Sequence, residues 1–354
     1  MNKKTVFFIA LTLALILSAT FALTACRNEA DNEKTYVQKV EAYTDESGAL
    51  LFDNKEADKF EQKVVHDVIM AHLDSPDNGK KKKAIFLGYD GCRVDALKYV
   101  NKTERENYIS ARKKYSADEK KTYLAGNSAL SYLLGKENTG LYFAYAGGEK
   151  GGKTQQATST APGWATMLTG KWALEEGGHG IKDNGIMKND VKTFLTKAAE
   201  GVNGKKYSAS FTASWEAHFT ENYANDMKYA ENNSLDIDYL LTGDDKGTFD
   251  DVMKRISGEN DTDVVFFTLE GTDHAGHSKK FGIHHHEYVA GFMEEDNYAY
   301  EILKAIESRP TYADEDWCIV IATDHGGFNY SHGGQTVMER TTFIATNKIE
   351  YLVK

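Results

Sequence analysis

The segment from Thr323 to His332 (TDHGGFNYSH) concentrates side chains of the kinds that bind divalent metals, namely Asp324, His325 and His332. It directly follows the apolar run Trp317–Ala322. Because successive residues of a strand point to opposite faces, the adjacent Asp and His can serve one site only if the chain has left the strand, as the two following glycines indicate. The pattern predicts a metal site, although a solvated loop could have the same composition.

A second group of candidate ligands lies in the segment DHAGH, where Asp273 and His277 are separated by a glycine-containing turn. This spacing can bring a carboxylate and an imidazole to one ion. His274 is interpreted as a bystander. The run His284–His286 is a possible third ligand set, but it opens a long helical pattern, and a solvated helix start is the preferred interpretation.

Thr160 is the candidate nucleophile. It stands two residues before Pro162, where a helix can begin with the proline in its first turn. A hydroxyl at this position can be a plain helix cap. It can also be a nucleophile, because a metal ion and the amide groups at a helix end both stabilise an alkoxide.

Three short apolar runs lead into acidic residues and are predicted to be buried parallel strands: 84–89, 263–269 and 318–323. Helical patterns separate them, at 128–134, 191–200, 249–256 and 288–306. This alternation predicts an α/β fold with a doubly wound, mostly parallel sheet and helices on both faces. Functional sites are then expected at the carboxyl ends of the strands, beside Asp90, Asp273 and Asp324.

Two further segments precede the first long apolar run. Apolar residues recur at helical spacing from Ala57 to Leu73, which predicts the first folded element. The four lysines at 80–83 are interpreted as a solvated lead into the first long strand, with contact to anionic lipid as the alternative.

Composition restricts the function classes. The 354 residues carry a formal net charge of −11, which disfavours general or sequence-specific nucleic-acid binding, because that role needs a face of lysine and arginine. An anionic substrate would require a local cation, which bound metal ions can supply. No pattern in the sequence indicates an oligomeric state.

The N-terminus predicts export. Residues 1–25 combine two lysines with an apolar stretch and end in small residues before Cys26, as in a bacterial lipoprotein signal peptide. Lipidation of Cys26 would anchor the protein to a membrane with its catalytic domain outside the cytoplasm; an uncleaved membrane anchor is the alternative. Residues 26–56 are polar and predict a tether, and 57–354 predict the catalytic domain.

An ordered series of motifs resembles the alkaline phosphatase superfamily, and within it the nucleotide pyrophosphatase/phosphodiesterase branch. The resemblance runs from about residue 84 to the C-terminus. The motifs are YDG at Asp90, T-x-P at Thr160, TG at 169–170, HGI at 179–181 followed by Asn184, DxxGH at 273–277 and TDHGG at 323–327 with His332.

This resemblance implies two divalent metal ions, zinc foremost and manganese as the alternative. The residues implied for one ion are Asp90, Asp324 and His325, with Thr160 beside it as the phosphorylated nucleophile. The residues implied for the other ion are Asp273, His277 and His332. Asn184 corresponds to an asparagine that donates to a phosphoryl oxygen, although three extra residues precede it here, somewhere around 175–178.

The implied function is hydrolysis of a small phosphate ester, with a phosphodiester favoured. A phosphomonoesterase is the close alternative, and Lys171 could supply charge for the extra phosphate oxygen. A sulfatase is disfavoured because it needs a modifiable Cys or Ser in C-x-P-x-R, where this chain has Thr160, Pro162 and Trp164. A lipid-anchored binding protein with a degenerate site is the non-enzymatic alternative. Gly163-Trp164 replaces an Asn-His pair frequent in the branch, so substrate preference is not implied; insertions at 101–127 or 215–248 could select the substrate.

Overall fold

The computed structural model describes residues 60–111, 116, 127–258 and 261–352. The predicted signal peptide, Cys26 and the predicted tether lie outside these residues, as does most of the 101–127 insertion. The strands are β1 (Phe60–Glu61), β2 (Lys81–Tyr89), β3 (Gly140–Tyr145), β4 (Ala209–Ala213), β5 (Ile237–Leu241), β6 (Val264–Leu269), β7 (Glu315–Thr323) and β8 (Thr341–Thr346).

Helices occupy most of the connections. They are α1 (Val64–Asp74), α2 (Lys102–Ala111), α3 (Ala129–Leu134), α4 (Thr160–Thr169), α5 (Phe194–Glu200), α6 (Ala224–Asn232), α7 (Asp245–Ile256), α8 (Gly271–Lys279), α9 (His286–Glu307) and α10 (Val337–Arg340). Short 3₁₀ turns lie at 94–100, 312–314 and 349–351, and a π-helical turn lies at 218–222.

The eight strands form one sheet in the order β1-β3-β8-β7-β2-β6-β4-β5. Every described strand runs in the same direction except β8, which is antiparallel to both β3 and β7. Alternate residues of β2 enter two separate hydrophobic cores: Ile85 and Leu87 pack in one, and Ala84 and Phe86 pack in the other. The sheet is therefore buried on both faces, and the predicted mostly parallel α/β fold is confirmed.

The register of the central strands determines where the site forms. Tyr89 of β2 lies opposite both Leu269 of β6 and Thr323 of β7. The residues that follow these three strands, Asp90, Glu270 and Asp324, consequently emerge at the same edge of the sheet. This is the edge predicted from the sequence.

The predictions for the start of the domain were partly wrong. The first helix begins at Val64 rather than near Ala57, and Phe60–Glu61 forms an edge strand beside β3. The lysine run is solvated only at its start: Lys80 and Lys81 are exposed, whereas Lys82 and Lys83 are buried members of β2. The Lys83 ammonium lies 2.8 Å from Asp261, so buried charge is compensated by an acidic partner rather than by water.

Candidate metal centre

The first cluster consists of Asp90, Asp324 and His325, all completely buried at the carboxyl ends of β2 and β7. One donor atom from each lies within 4.8 Å of the others. His325 Nε2 is 3.5 Å from Asp90 Oδ1 and 3.4 Å from Asp324 Oδ2. The opposite ring nitrogen, Nδ1, is 2.7 Å from the Gly326 carbonyl and donates to it, which leaves the Nε2 lone pair directed at the cluster.

The loop after β7 needs its glycine because another segment approaches closely. A Cβ on Gly326 would lie 2.0 Å from the Met338 carbonyl oxygen. The chain leaves the strand after Thr323, as the two glycines indicated, and Asp324 and His325 reach one site.

The second cluster consists of Asp273, His277 and His332. His277 Nε2 is 3.3 Å from Asp273 Oδ2 and 3.0 Å from His332 Nε2, and His332 Nε2 is 3.6 Å from Asp273 Oδ1. The segment between Asp273 and His277 was predicted to be a turn, but both residues lie on α8, four positions apart. A helix aligns positions i and i+4 on one face, so it brings the two side chains together as effectively as a turn.

The two clusters adjoin at His325 and His332, whose ring centroids are 4.0 Å apart. Asp273, His325 and His332 also offer three donor atoms within 4.8 Å of one another. Segment 323–332 therefore extends across both clusters. His325 lies close to both, a proximity that the sequence did not predict.

Unpartnered buried atoms show that this donor set fits cations. Asp273 Oδ1, Asp324 Oδ2 and His332 Nδ1 are buried without a hydrogen-bond partner among the described residues. Leaving such atoms unpaired costs stability, and carboxylates with neutral imidazoles are the ligands that divalent transition metals take. The composition of the site and its orphaned atoms are both consistent with bound metal.

The electrostatics lead to the same conclusion. Burial, and then the neighbouring Asp324, Glu270 and Asp273 carboxylates, raise the pKa of Asp90 well above its ordinary value. Burial is also the main cause of the raised pKa of Asp324. Burial raises the pKa of Glu270 to about 8. So many buried carboxyl groups are stable together only if protons or cations compensate their charge.

Thr160 is the first residue of α4 and lies beside the first cluster. Its hydroxyl oxygen is 3.4 Å from Asp90 Oδ1 and 3.3 Å from His325 Nε2. The preceding Ser159, rather than Thr160, occupies the N-cap position and makes no side-chain cap hydrogen bond. The Thr160 hydroxyl is thus directed at the Asp90 carboxylate and the His325 imidazole instead of capping its own helix.

A cavity of about 310 Å³ opens in front of Thr160. The residues that line it are Ser159, Thr160, Asp183, Asn184, Trp215, Glu270, Asp273, His274, His277, His332 and Gly333. Asn184 is exposed in the loop before α5 and reaches this cavity despite the three extra residues ahead of it. All the predicted site residues among those described therefore meet in one region.

Several other predictions concern residues near the site. His274 is exposed and lines the cavity, whereas His284–His286 do not line it and lie at the start of α9, with the His286 ring 2.8 Å from the Tyr108 hydroxyl. His179 of the HGI motif is buried 3.1 Å from the Thr166 hydroxyl, so it supports the local fold. Cys92 and Cys318 are buried free thiols.

The sequence assigned no role to three residues that the structure places at the site. The Trp164 indole donates a 2.9 Å hydrogen bond to Asp90 Oδ2 and is completely buried. Glu270 directly follows β6, just as Asp90 follows β2 and Asp324 follows β7. Its place at the end of a central strand could therefore have indicated that it belongs to the site. Trp215 lines the cavity just after β4, and only the position of that strand in the sheet could have indicated it.

Within the part of the chain that is described, no helix combines the length and apolar character that crossing a membrane requires.

Fold and side chains together define a mostly parallel α/β protein with two adjoining carboxylate–imidazole clusters and a threonine at a helix start. A family model for type I phosphodiesterase/nucleotide pyrophosphatase matches residues 153–353, more than half of the chain. The chain belongs to this family, and hydrolysis of phosphate esters is the reaction class that membership supports. The match includes every predicted site residue except Asp90 and Cys26.

Comparison with curated proteins gave no match. Solved structures that resemble the chain include alkaline phosphatase from the Antarctic bacterium TAB5, at 12% identity and a TM-score of 0.44 over 77% of this chain and 93% of that one. Murine ectonucleotide pyrophosphatase/phosphodiesterase 5 aligns at 16% identity and 0.40, over 69% of this chain and 57% of that one. The C-terminal periplasmic domain of EcEptC from Escherichia coli, in complex with zinc, aligns at 12% identity and a TM-score of 0.40, over 79% of this chain and 78% of that one.

Proposed function

We propose that the protein is a two-metal phosphoric ester hydrolase that prefers diesters and acts through a covalent phosphoryl intermediate on Thr160. The observation that carries this proposal is the position of the Thr160 hydroxyl, within 3.4 Å of Asp90 and 3.3 Å of His325 at the start of α4 and at the wall of a cavity. A hydroxyl so placed has the positive end of a helix and the proposed ligands around it.

Asp90, Asp324 and His325 would hold one divalent ion next to Thr160, and Asp273, His277 and His332 would hold the other. Zinc is the proposed resident metal, because mixed carboxylate and imidazole ligands suit it, and manganese is the alternative. When bound, two such ions stabilise the charge that develops on the attacking and leaving oxygens of an in-line displacement.

The residues of the chain perform the remaining steps. The Thr160 hydroxyl loses its proton to solvent and its oxygen bonds to phosphorus, while the bond from phosphorus to the leaving oxygen breaks and the departing alkoxide takes up a proton from solvent to leave as an alcohol. The Asn184 amide donates to a non-bridging phosphoryl oxygen and so orients the group for attack. Water then attacks the Thr160 ester, releasing the phosphate product and restoring the hydroxyl.

The phosphomonoesterase alternative needs a cation for the additional phosphate charge, and Lys171 was the candidate. Lys171 follows the far end of α4, is half-exposed, does not line the cavity, and its ammonium lies 3.8 Å from Glu175. This arrangement favours the diesterase.

The experiment uses the domain from residue 57 to 354, which we propose as the catalytic unit, without the proposed signal peptide and lipidated Cys26. Hydrolysis of three chromogenic substrates, a phosphate diester, a phosphate monoester and a sulfate ester, is measured for the zinc-loaded protein and for the same protein after chelation. We expect fast diester turnover that chelation abolishes. Turnover of the sulfate ester alone would contradict the proposal, and a metal-replete protein that hydrolyses no ester would favour the binding-protein alternative.

Replacing Thr160 tests the nucleophile. Thr160→Ala should lower diester turnover on the order of 10³-fold or more, because the attacking oxygen is lost while the metal ligands remain. Thr160→Ser keeps a hydroxyl and is the matched control, with partial activity expected. Mass spectrometry of acid-quenched protein should detect the phosphoryl adduct on Thr160. Near-normal turnover by Thr160→Ala with its metals bound would exclude the proposed role.

In the whole protein, we propose that residues 26–56 tether this domain to a lipid on Cys26, with the domain outside the cytoplasm. Radiolabelled fatty acid should enter the full-length protein and should not enter a Cys26→Ala variant.

A further inference from the structure

Part of the cavity wall is not used by the proposed chemistry. Beyond the metal ligands, Thr160 and Asn184, the substrate would meet Asp183, Trp215, His274 and Ser159. No described lysine or arginine lines the cavity. The organic arm of a phosphodiester would therefore lie against a carboxylate and an aromatic ring, with no lysine or arginine among the lining residues to receive a further anionic group.

Asp183 provides negative charge close to the reacting end. It is exposed, and its carboxylate accepts a 3.3 Å hydrogen bond from the hydroxyl of Ser159, the neighbour of the proposed nucleophile. No lysine or arginine among the described residues lies within ion-pair distance of it. Its charge thus remains available to a ligand in the cavity.

Trp215 provides a fixed aromatic surface in the same cavity. It is partly buried just after β4, and the buried His218 ring packs against it at right angles, with 4.8 Å between centroids. Aromatic faces attract cations, and quaternary ammonium groups are the ligands for which such surfaces are best suited because they are weakly hydrated. A carboxylate and an indole in one small cavity are complementary to such a group.

We propose that this cavity selects phosphodiesters in which one ester arm ends in a quaternary ammonium group, with Asp183 and Trp215 as the determinants of that preference. The inference rests on the proposed diesterase function and specifies its substrate class. Arms that carry further phosphate groups are disfavoured, because they would approach Asp183 without a lysine or arginine in the cavity wall to compensate their charge.

The test uses two chromogenic diesters that differ only in charge: p-nitrophenyl phosphorylcholine and its carbon isostere p-nitrophenyl 3,3-dimethylbutyl phosphate. In each, Thr160 Oγ bonds to phosphorus as nitrophenolate leaves, and water then releases the remaining monoester. The ratio of kcat/KM values for the two substrates isolates the contribution of the ammonium charge. We expect the zinc-loaded wild-type protein to prefer the choline ester on the order of tenfold.

Asp183→Asn and Trp215→Leu should each bring this ratio towards one. The matched control is Asp190→Asn, the same change at an exposed aspartate of the same loop that does not line the cavity, and it should keep the wild-type ratio. A wild-type ratio near one would overturn the inference. A higher kcat/KM for the p-nitrophenyl ester of thymidine 5′-phosphate than for the choline ester would also overturn it, because Trp215 would then be stacking a base.

A binding measurement separates this inference from the proposed function. Calorimetry with metal-loaded Thr160→Ala protein compares the affinities for phosphorylcholine and 3,3-dimethylbutyl phosphate without turnover. If the wild-type protein hydrolyses neither diester while the Thr160→Ala protein binds phosphorylcholine preferentially, the hydrolase is contradicted and the inference is supported. Hydrolysis of both diesters with equal binding would support the hydrolase and contradict the inference.

Discussion

The two carboxylate oxygens of Asp90 have different partners. Oδ1 faces Thr160 and His325, while Oδ2 accepts the 2.9 Å hydrogen bond from the buried Trp164 indole. Hydrogen bonds of this kind fix the orientation of a ligand and strengthen metal binding. Trp164 is therefore expected to position Asp90 so that a single oxygen is presented to the metal.

Trp164→Phe tests this positioning. Phenylalanine should retain the packing against Phe86 and Phe266 but cannot donate to Asp90. We expect the affinity for zinc to fall about tenfold or more, measured by competition with a chromophoric chelator. The control is Trp172→Phe, which removes the indole donor of another buried tryptophan, one that bonds to Glu61. Unchanged affinity in a folded Trp164→Phe protein would show that the hydrogen bond is not needed.

His332 tests the division of segment 323–332 between two ions. Its Nε2 lies 3.0 Å from His277 and 3.6 Å from Asp273, so His332→Ala should remove a ligand of the second cluster. Asp324 and His325 would still bind the first ion. Elemental analysis after dialysis should count about one ion per chain in the variant and about two in the wild type, the number expected for the proposed two-metal site. Loss of both ions would instead identify His325 and His332 as ligands of one shared site.

These site residues could be predicted because each motif combines a ligand or nucleophile residue type with a position at the end of a strand or the start of a helix. Asp90, Thr160 and Asp324 could be located in this way. The short distance between His325 and His332, and the hydrogen bond from Trp164 to Asp90, depend on how separate segments pack. Neither has a signature in local sequence spacing.

At the scale of elements, the site depends on close packing of α4 against the loop after β7. A Cβ added to Gly163 would lie 2.9 Å from the Asp324 Cβ and 3.0 Å from its carbonyl oxygen. Helix propensity alone favours alanine over glycine by about 1 kcal/mol in a helix interior. Here the contact with Asp324 opposes that preference, because overpacking costs about 1–3 kcal/mol.

Gly163→Ala is therefore expected to destabilise the protein by about 1 kcal/mol and to lower diester turnover, since α4 carries Thr160. Urea unfolding and kcat/KM measure the two effects. Gly243→Ala is the control, because a Cβ there would have no atom within 4 Å. A stability gain with full activity would mean that propensity outweighs the contact.

Element types were easier to predict than their surroundings. The three central strands and the long helix α9 have clear apolar periodicity, which determines type but not partner. The buried lysines of β2 show the difference: Lys82 and Lys83 have the sequence character of a surface run, yet Asp316 and Asp261 lie 3.3 Å and 2.8 Å away. These acidic partners are about 180 or more residues distant in sequence. Local pattern therefore cannot reveal them.

At the scale of the whole molecule, the two cores enclose neutral histidines outside the proposed ligand set. Burial lowers the pKa of His72 to about 4 and the pKa of both His179 and His218 to about 3. The unfolded chain takes up these protons once the pH falls below about 6.5, whereas the folded protein does not. Because the unfolded state then binds more protons, the contribution to stability is complete above pH 6.5 and is lost as the pH falls towards each folded pKa.

His218→Phe isolates one of these contributions. His218 is completely buried among Phe211, Trp215 and Tyr223, and neither ring nitrogen has a hydrogen-bond partner among the described residues. The wild type loses unfolding free energy between pH 7 and pH 5, and this loss should be about 2 kcal/mol smaller in the variant. The reason is that the unfolded variant no longer takes up a proton at position 218. Any change in packing energy is present at both pH values and cancels from this difference.

Urea unfolding of chelator-treated protein at the two pH values gives the measurement without competition between protons and metals for the proposed ligands. His274→Gln, which removes an exposed imidazole, should retain the acid sensitivity of the wild type. If His218→Phe loses as much stability as the wild type between pH 7 and pH 5, the buried ring must take up a proton without unfolding. The aromatic wall behind Trp215 would then be more accessible to water than its burial indicates.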